Sequence, residues 1–243
     1  MKSRVILASF FLSIFLLDSE AFAKKIKLVT VEWAPYYASS MEGGGPLSRV
    51  AKEAFEKKGY DVSIEFMPWA RAMLLTEKGE AHGVLGAYIN PERDRKFLKS
   101  EPLAKTQVVF FSLANRSISY NSFKDLEKYR IGVVRGNSYS PEFDEYKGFT
   151  KDVADDLSNS IRKLVAQRID LLVDARRVVE HRVDSKIKSA KGKLKVVGKP
   201  LLENNLYIIF SRAIKGSKTI VKDFNEGLKG IKANGQYSKI MGP

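Results

Sequence analysis

Residues 86–100 read GAYINPERDRKFLKS. With Gly83-Val84-Leu85 in front, the run as far as Ile89 is apolar and predicts a short buried strand. Asn90-Pro91 stops it. Asn is a strong N-cap, Pro suits the first helical position, and a residue before Pro is held in the extended conformation that an N-cap needs. A strand therefore feeds straight into a short helix, with Arg93 in its first turn. The helix dipole disfavours a cation there by about 0.3–1 kcal/mol. A guanidinium kept in that place, at a strand end, suits a carboxylate or another anion. The alternative is a solvated arginine in a chain rich in basic residues.

The same alternation extends in both directions. Upstream, Ile26–Thr30 and Val62–Phe66 read as strands. Pro46–Lys58 and Pro68–Lys78 read as helices, each closed by a glycine, Gly59 and Gly79. This β-α-β-α-β order predicts a parallel sheet with helices on its faces. Downstream a similar unit follows. Strands are expected at Gln107–Ala114, Arg130–Arg135, Ile169–Val173, Leu194–Val197 and Asn205–Ser211. Helices are expected at Ser122–Lys128, Ser158–Gln167, Ala175–Arg182 and Lys218–Asn234, with Gly136-Asn137-Ser138 opening a further helical region. Two extended runs, near Lys105–Phe110 and Asn204–Phe210, cross between the units. Two lobes with two crossings can hinge, and ligands favour the cleft between them.

The N-terminus has the form of a secretory signal. Lys2 and Arg4 precede an apolar stretch, Val5–Leu17, and Ala21-Phe22-Ala23 is a small-x-small cleavage site. The mature chain is expected to start near Lys24, with enough length for one large domain or two lobes of about 100 residues each. There are no cysteines, so disulfides and thiolate metal sites are excluded, and no lipid attachment at a cysteine is expected. A soluble periplasmic protein is the expectation. The net charge is +14, but the basic residues lie in small groups with no nucleic-acid motif. They read as solvated surface with a bias toward anionic partners.

Taken in order, these segments resemble the periplasmic solute-binding proteins that serve polar amino-acid ABC transporters. An opening strand leads to the aromatic loop Glu32-Trp33-Ala34-Pro35-Tyr36-Tyr37. Gly86 is followed by Pro91-Glu92-Arg93 and then Phe97–Pro102. Ile131-Gly132-Val133-Val134 leads to Gly136-Asn137-Ser138. Arg168-Ile169-Asp170 comes next, and the chain closes with Phe224-Asn225 and Gly235-Gln236-Tyr237. The resemblance covers essentially the whole mature chain. It implies an α/β, two-lobed periplasmic-binding-protein fold, each lobe a sheet flanked by helices, with two hinge crossings. Lobe one would comprise residues 24–105 and 210–243, and lobe two residues 106–209, after a signal peptide over 1–23. It further implies a monomer that binds a small ligand and meets a membrane permease or receptor, with no cofactor, no metal and no nucleic acid.

The resemblance also assigns roles. The family's carboxylate-binding arginine falls on Arg93, and its backbone cradle on Gly86, Ala87 and Tyr88, with Tyr88 replacing a usual small hydroxyl residue. The Gly-rich turn of the second lobe falls on Gly136, Asn137 and Ser138, whose amides at a helix start could hold an anion. Trp33, Tyr36, Tyr37 and Trp69 stand at strand ends, where aromatics either sandwich a ligand or pack the core. Arg71 is a second anion contact or a solvated residue. The acid that holds a ligand ammonium would fall on Ala175, one residue after Asp174. Either Asp174 serves after this shift or the ammonium site is missing. Acids usual near Leu47-Ser48 and at Ala81 or His82 are also missing. An amino acid or a related carboxylate is the expected ligand.

Catalysis has little to rest on. His82 and His181 are far apart in sequence and lack metal-ligand spacing, and no nucleophile, P-loop or dinucleotide motif is present. Some relatives of this fold are cyclic-acid dehydratases with carboxylates as general acids. Glu32 would be the candidate for that role, and a ligand sensor is a further alternative.

Overall fold

The computed structural model describes residues 24–135, 137 and 139–242. Residues 1–23, Gly136, Ser138 and Pro243 lie outside the described residues. The first unit runs β1 (Lys24–Thr30), α1 (Pro46–Glu56), β2 (Tyr60–Phe66), α2 (Trp69–Lys78), β3 (Gly83–Ala87), α3 (Pro91–Lys96), β4 (Phe97–Lys99) and β5 (Ala104–Leu113). The second runs β6 (Arg130–Val134), α4 (Pro141–Glu145), β7 (Thr150–Ala154), α5 (Leu157–Val165), β8 (Leu171–Ala175) and α6 (Arg176–Lys186). β9 (Leu194–Ser211), α7 (Ser217–Ala233) and α8 (Gln236–Met241) complete the chain.

β1 pairs in parallel with β2 and β3, and β6 in parallel with β7 and β8, as the alternation of strands and helices demands. β5 and β9 run antiparallel between the two half-sheets, giving the order β2-β1-β3-β9-β5-β8-β6-β7, with β4 also on β9. The two runs expected as separate strands, Leu194–Val197 and Asn205–Ser211, are thus one 18-residue strand. Its first residues, Leu194–Val197, pair with β5 in the second sheet, and Tyr207–Phe210 pair with β3 in the first. Between them, Leu202–Leu206 pairs with Ala104–Val108 and joins the lobes as a two-stranded ribbon. The fold is a two-lobed α/β arrangement with two crossings.

Three apolar clusters build the cores. Leu47, Val50, Ala54 and Phe55 of α1 pack with Phe224, Leu228 and Ile231 of α7 on one face of the first sheet. Gly227 permits this, because a Cβ there would lie 1.9 Å from the Ala54 carbonyl oxygen. Ala72 of α2 closes the opposite face with Val29, Val84 and Ile209. In the second lobe, α5 and α6 cover one face, and Phe110, Phe143 and Phe149 fill the other.

Several expected boundaries are corrected. No helix opens at Asn137: α4 begins at Pro141, capped by the Ser140 hydroxyl, which accepts from the Phe143 N–H. β7, β4 and α8 carried no expectation. β8 begins two residues later than expected. Asp170, just before it, is used as a tie, accepting from the Arg130 N–H at 2.9 Å and pairing with Arg116. Asp174 therefore lies inside the strand end.

Candidate functional site

β3 ends at Ala87, two residues before the expected Ile89, and α3 opens as the sequence requires. The Asn90 Oδ1 accepts from the Arg93 N–H at 2.8 Å, with Pro91 in the first helical position. Gly86 has φ +84°, and its register with β9 shifts there. A Cβ at that position would stand 2.4 Å from the Tyr37 ring, so only glycine fits. The kink turns Tyr88 and Arg93 toward the gap between the sheets.

A cavity of about 460 Å³ occupies that gap. The first lobe supplies Val31, Trp33, Tyr37, Trp69, Gly86, Tyr88, Ile89, Asn90 and Arg93. The second supplies Val108, Asn137, Tyr139, Ser140, Pro141, Asp174 and Ala175, and the crossing strand adds Leu202 and Asn204. Of the residues singled out in the sequence, Arg93, Tyr88, Gly86, Trp69, Trp33, Tyr37, Asn137 and Asp174 are brought together. Tyr36 and Arg71 are not. Tyr36 is buried beneath Trp33, its ring stacked at 4.9 Å, so it supports the cavity wall without forming it. Arg71 is exposed on α2, outside the cavity. Ser138 lies outside the described residues.

Arg93 is half-buried, with its guanidinium 5.0 Å from the centre of the Trp69 ring. Nη1 donates to the Tyr88 carbonyl at 2.8 Å. Among the described residues no carboxylate pairs with Arg93, so its other donors remain for a ligand. Burial lowers its pKa from the usual arginine value, a sign that the charge sits out of water.

Across the gap, Asp174 is the next-to-last residue of β8 and is 6% exposed. Its Oδ1 accepts from the Ala175 N–H at 2.7 Å. Burial pushes its pKa up to about 6, against that hydrogen bond and the more distant Arg182. The site thus opposes one cation and one reluctant anion, held on different sheets.

The remaining walls are aromatic. Trp33 meets Tyr88 edge-on at 6.2 Å. Burial raises the Tyr88 pKa to about 12, and its hydroxyl shares a 2.9 Å hydrogen bond with Thr106, which in turn donates to the Asn204 carbonyl. Tyr88 is therefore tied to both crossing strands. Tyr139 is held by the Val134 N–H donating to its hydroxyl at 2.7 Å, and burial raises its pKa as well. Tyr139, Ser140 and Asn204 were missed in the sequence. Ser140-Pro141 repeats the cap-proline signal of Asn90-Pro91 and could have been found by it. Asn204 carries no local signal.

Other candidates fall elsewhere. Glu32 is exposed and accepts from the Ser39 N–H at 2.9 Å, outside the cavity. His82 Nδ1 accepts from the Lys27 N–H at 3.0 Å, and burial lowers its pKa. Among the described residues no group of three or more His, Asp or Glu is placed to hold a metal ion. No described helix is long and apolar enough to cross a membrane.

The family model for bacterial extracellular solute-binding proteins, family 3, matches residues 22–242. No curated protein matches the sequence. Among solved structures, the GluR0 ligand-binding core from Nostoc punctiforme in complex with L-glutamate is similar at TM-score 0.71 and 18% identity, covering 88% of this chain and 96% of that one. The substrate-binding protein of an amino-acid ABC transporter is similar at 0.68 and 21%, covering 89% and 96%. A histidine kinase sensor domain is similar at 0.71 and 17%, covering 89% and 93%. At these identities the likeness is one of fold.

Proposed function

The chain belongs to the bacterial extracellular solute-binding proteins of family 3, and from that membership we propose that it captures an amino acid or related small carboxylate in the periplasm and delivers it to an ABC importer. One observation carries the reading. The cavity sets the half-buried guanidinium of Arg93 on one sheet against the buried carboxyl of Asp174 on the other. A ligand carboxylate meets Arg93 through paired hydrogen bonds in the open first lobe. Closure then brings Asn137, Tyr139 and Asp174 onto its far side. Trp33, Tyr37, Trp69 and Tyr88 enclose the ligand's body, and Gly86 lets the backbone approach it. The ligand drives closure only to the extent that it binds the closed form better.

The lobes divide as residues 24–105 with 210–243, and residues 106–209. The exchange of strand partners along the ribbon of Ala104–Val108 and Leu202–Leu206 supports that division. The protein acts as a monomer, exported by a signal peptide over residues 1–23. Binding without turnover is the preferred reading, because Glu32, the one carboxylate considered as a general acid, does not line the cavity. A second reading, a sensor docking on a membrane receptor, is favoured by the likeness to a histidine kinase sensor domain.

A thermal-shift screen against amino acids, dicarboxylates, aromatic acids and polyamines tests the proposal. A ligand at about 100 times its Kd adds roughly 2.7 kcal/mol and should raise the midpoint by about 5–10 °C. Loss of that shift in a folded Arg93→Ala protein is expected. A ligand that shifts parent and variant equally would remove Arg93 from the site.

A further inference from the structure

Half of the chain's excess charge is packed into one tenth of its length. Residues 176–199 hold nine basic and two acidic side chains, a net of seven out of the chain's +14. The stretch covers α6, the turn at Lys188–Ala190 and the start of β9. These segments converge on a depression of about 370 Å³ with Val179 and Val196 in its floor and Arg176, Lys191 and Lys195 on its rim. Both acids are already neutralised, Glu180 by Arg176 at 2.9 Å and Asp184 by Lys191 at 3.3 Å. Of the other arginines, Arg182 donates to the Ser158 hydroxyl and Arg177 acts on the Tyr36 hydroxyl. That leaves Lys186, Lys188, Lys193, Lys195 and Lys199, all exposed and without an ion pair among the described residues.

We propose that this face docks the protein on an anionic lipid bilayer. The residue type decides between partners. Cores of protein–protein interfaces favour Trp, Tyr and Arg and disfavour Lys, and here the arginines are engaged while the open groups are lysines. An ammonium is a hydrated point charge on a flexible stem, suited to a diffuse sheet of phosphates more than to one shaped pocket. The placement also fits. α6 starts beside the cavity at Ala175 and carries Lys186 about 16 Å away, so docking leaves the cavity mouth open. Held at the surface this way, the protein would search for its membrane partner in two dimensions.

Co-sedimentation of the mature chain with vesicles tests this. Phosphatidylglycerol-containing vesicles should bind it at low salt, phosphatidylcholine vesicles should not, and binding should fade as salt shortens the screening length. Each lysine near an anionic surface is worth roughly fivefold. Replacing Lys186, Lys188, Lys193 and Lys195 together by Gln should therefore weaken binding by on the order of a hundredfold or more. A control with Lys57, Lys215, Lys218 and Lys239 replaced by Gln removes the same charge from exposed places on the first lobe, and should lose far less. Both variants should keep the parent's melting midpoint. Absence of binding to anionic vesicles would overturn the proposal. So would equal loss in the control, because net charge and not this face would then be responsible.

Discussion

At the residue scale the site turns on three positions. Arg93 keeps most of its donors open, so Arg93→Ala should weaken a carboxylate ligand by about 2–4 kcal/mol, roughly thirty- to a thousandfold by calorimetry. Gly86→Ala would place a methyl against the Tyr37 ring in a left-handed backbone. A loss of about 2–4 kcal/mol in urea unfolding is expected. Asp174 gives a pH signature. Its carboxyl pKa is raised from 3.8 to about 6 in the fold. Between those values the native state holds a proton that the unfolded chain has lost, so stability falls as pH rises through this window and stays lower above it. The shift is worth on the order of 3 kcal/mol. Asp174→Asn should therefore stabilise the protein at about pH 8 and change little at about pH 4, read from denaturation midpoints. The same variant should bind an ammonium-bearing ligand more weakly. Equal midpoints for parent and variant at both pH values would mean that Asp174 is not held in a dry environment.

At the element scale the short strand–cap–helix unit around Asn90 is the device that aims Arg93. Asn90→Ala removes the acceptor of the Arg93 N–H and should lower stability by about 1 kcal/mol in urea unfolding. It should also weaken ligand binding, because the first turn that orients the guanidinium loosens. This unit was legible in the sequence because its signals are local: an apolar run, an N-cap, a proline and a charge order. The turn after β6 was read as opening a helical region, yet α4 begins only at Pro141. β8 was read two residues early, because Ile169-Asp170 carries strand-like composition while the Asp170 carboxylate is spent on Arg116 and Arg130. Composition reports propensity, whereas the partner that captures a carboxylate is set by a neighbouring strand.

At the scale of the whole molecule, both tryptophans of the chain line the cavity, one after β1 and one at the start of α2. Ligand binding with closure should move their emission to shorter wavelength as water leaves the cleft. Trp33→Phe and Trp69→Phe would divide the change between the two. A calorimetrically proven ligand that leaves the emission unchanged would argue against closure over these rings. The Tyr88–Thr106–Asn204 chain of hydrogen bonds links the cavity wall to both crossing strands. It is a physical route from an occupied cavity to the ribbon about which the lobes would turn.

The sequence by itself determined the two α/β units, their parallel half-sheets and the arginine at the strand end. Each follows from periodicity, capping and backbone sterics acting within a few residues. Only the tertiary structure decided that β9 is one strand shared by two sheets, and that Tyr37 faces the cavity while Tyr36 lies beneath Trp33. It also decided that Asp174 stands opposite Arg93, and that Arg176 of a helix, Lys191 of a turn and Lys195 of a strand border one depression. Those outcomes depend on which distant segments meet, and burial and pairing across such contacts leave no mark in local order.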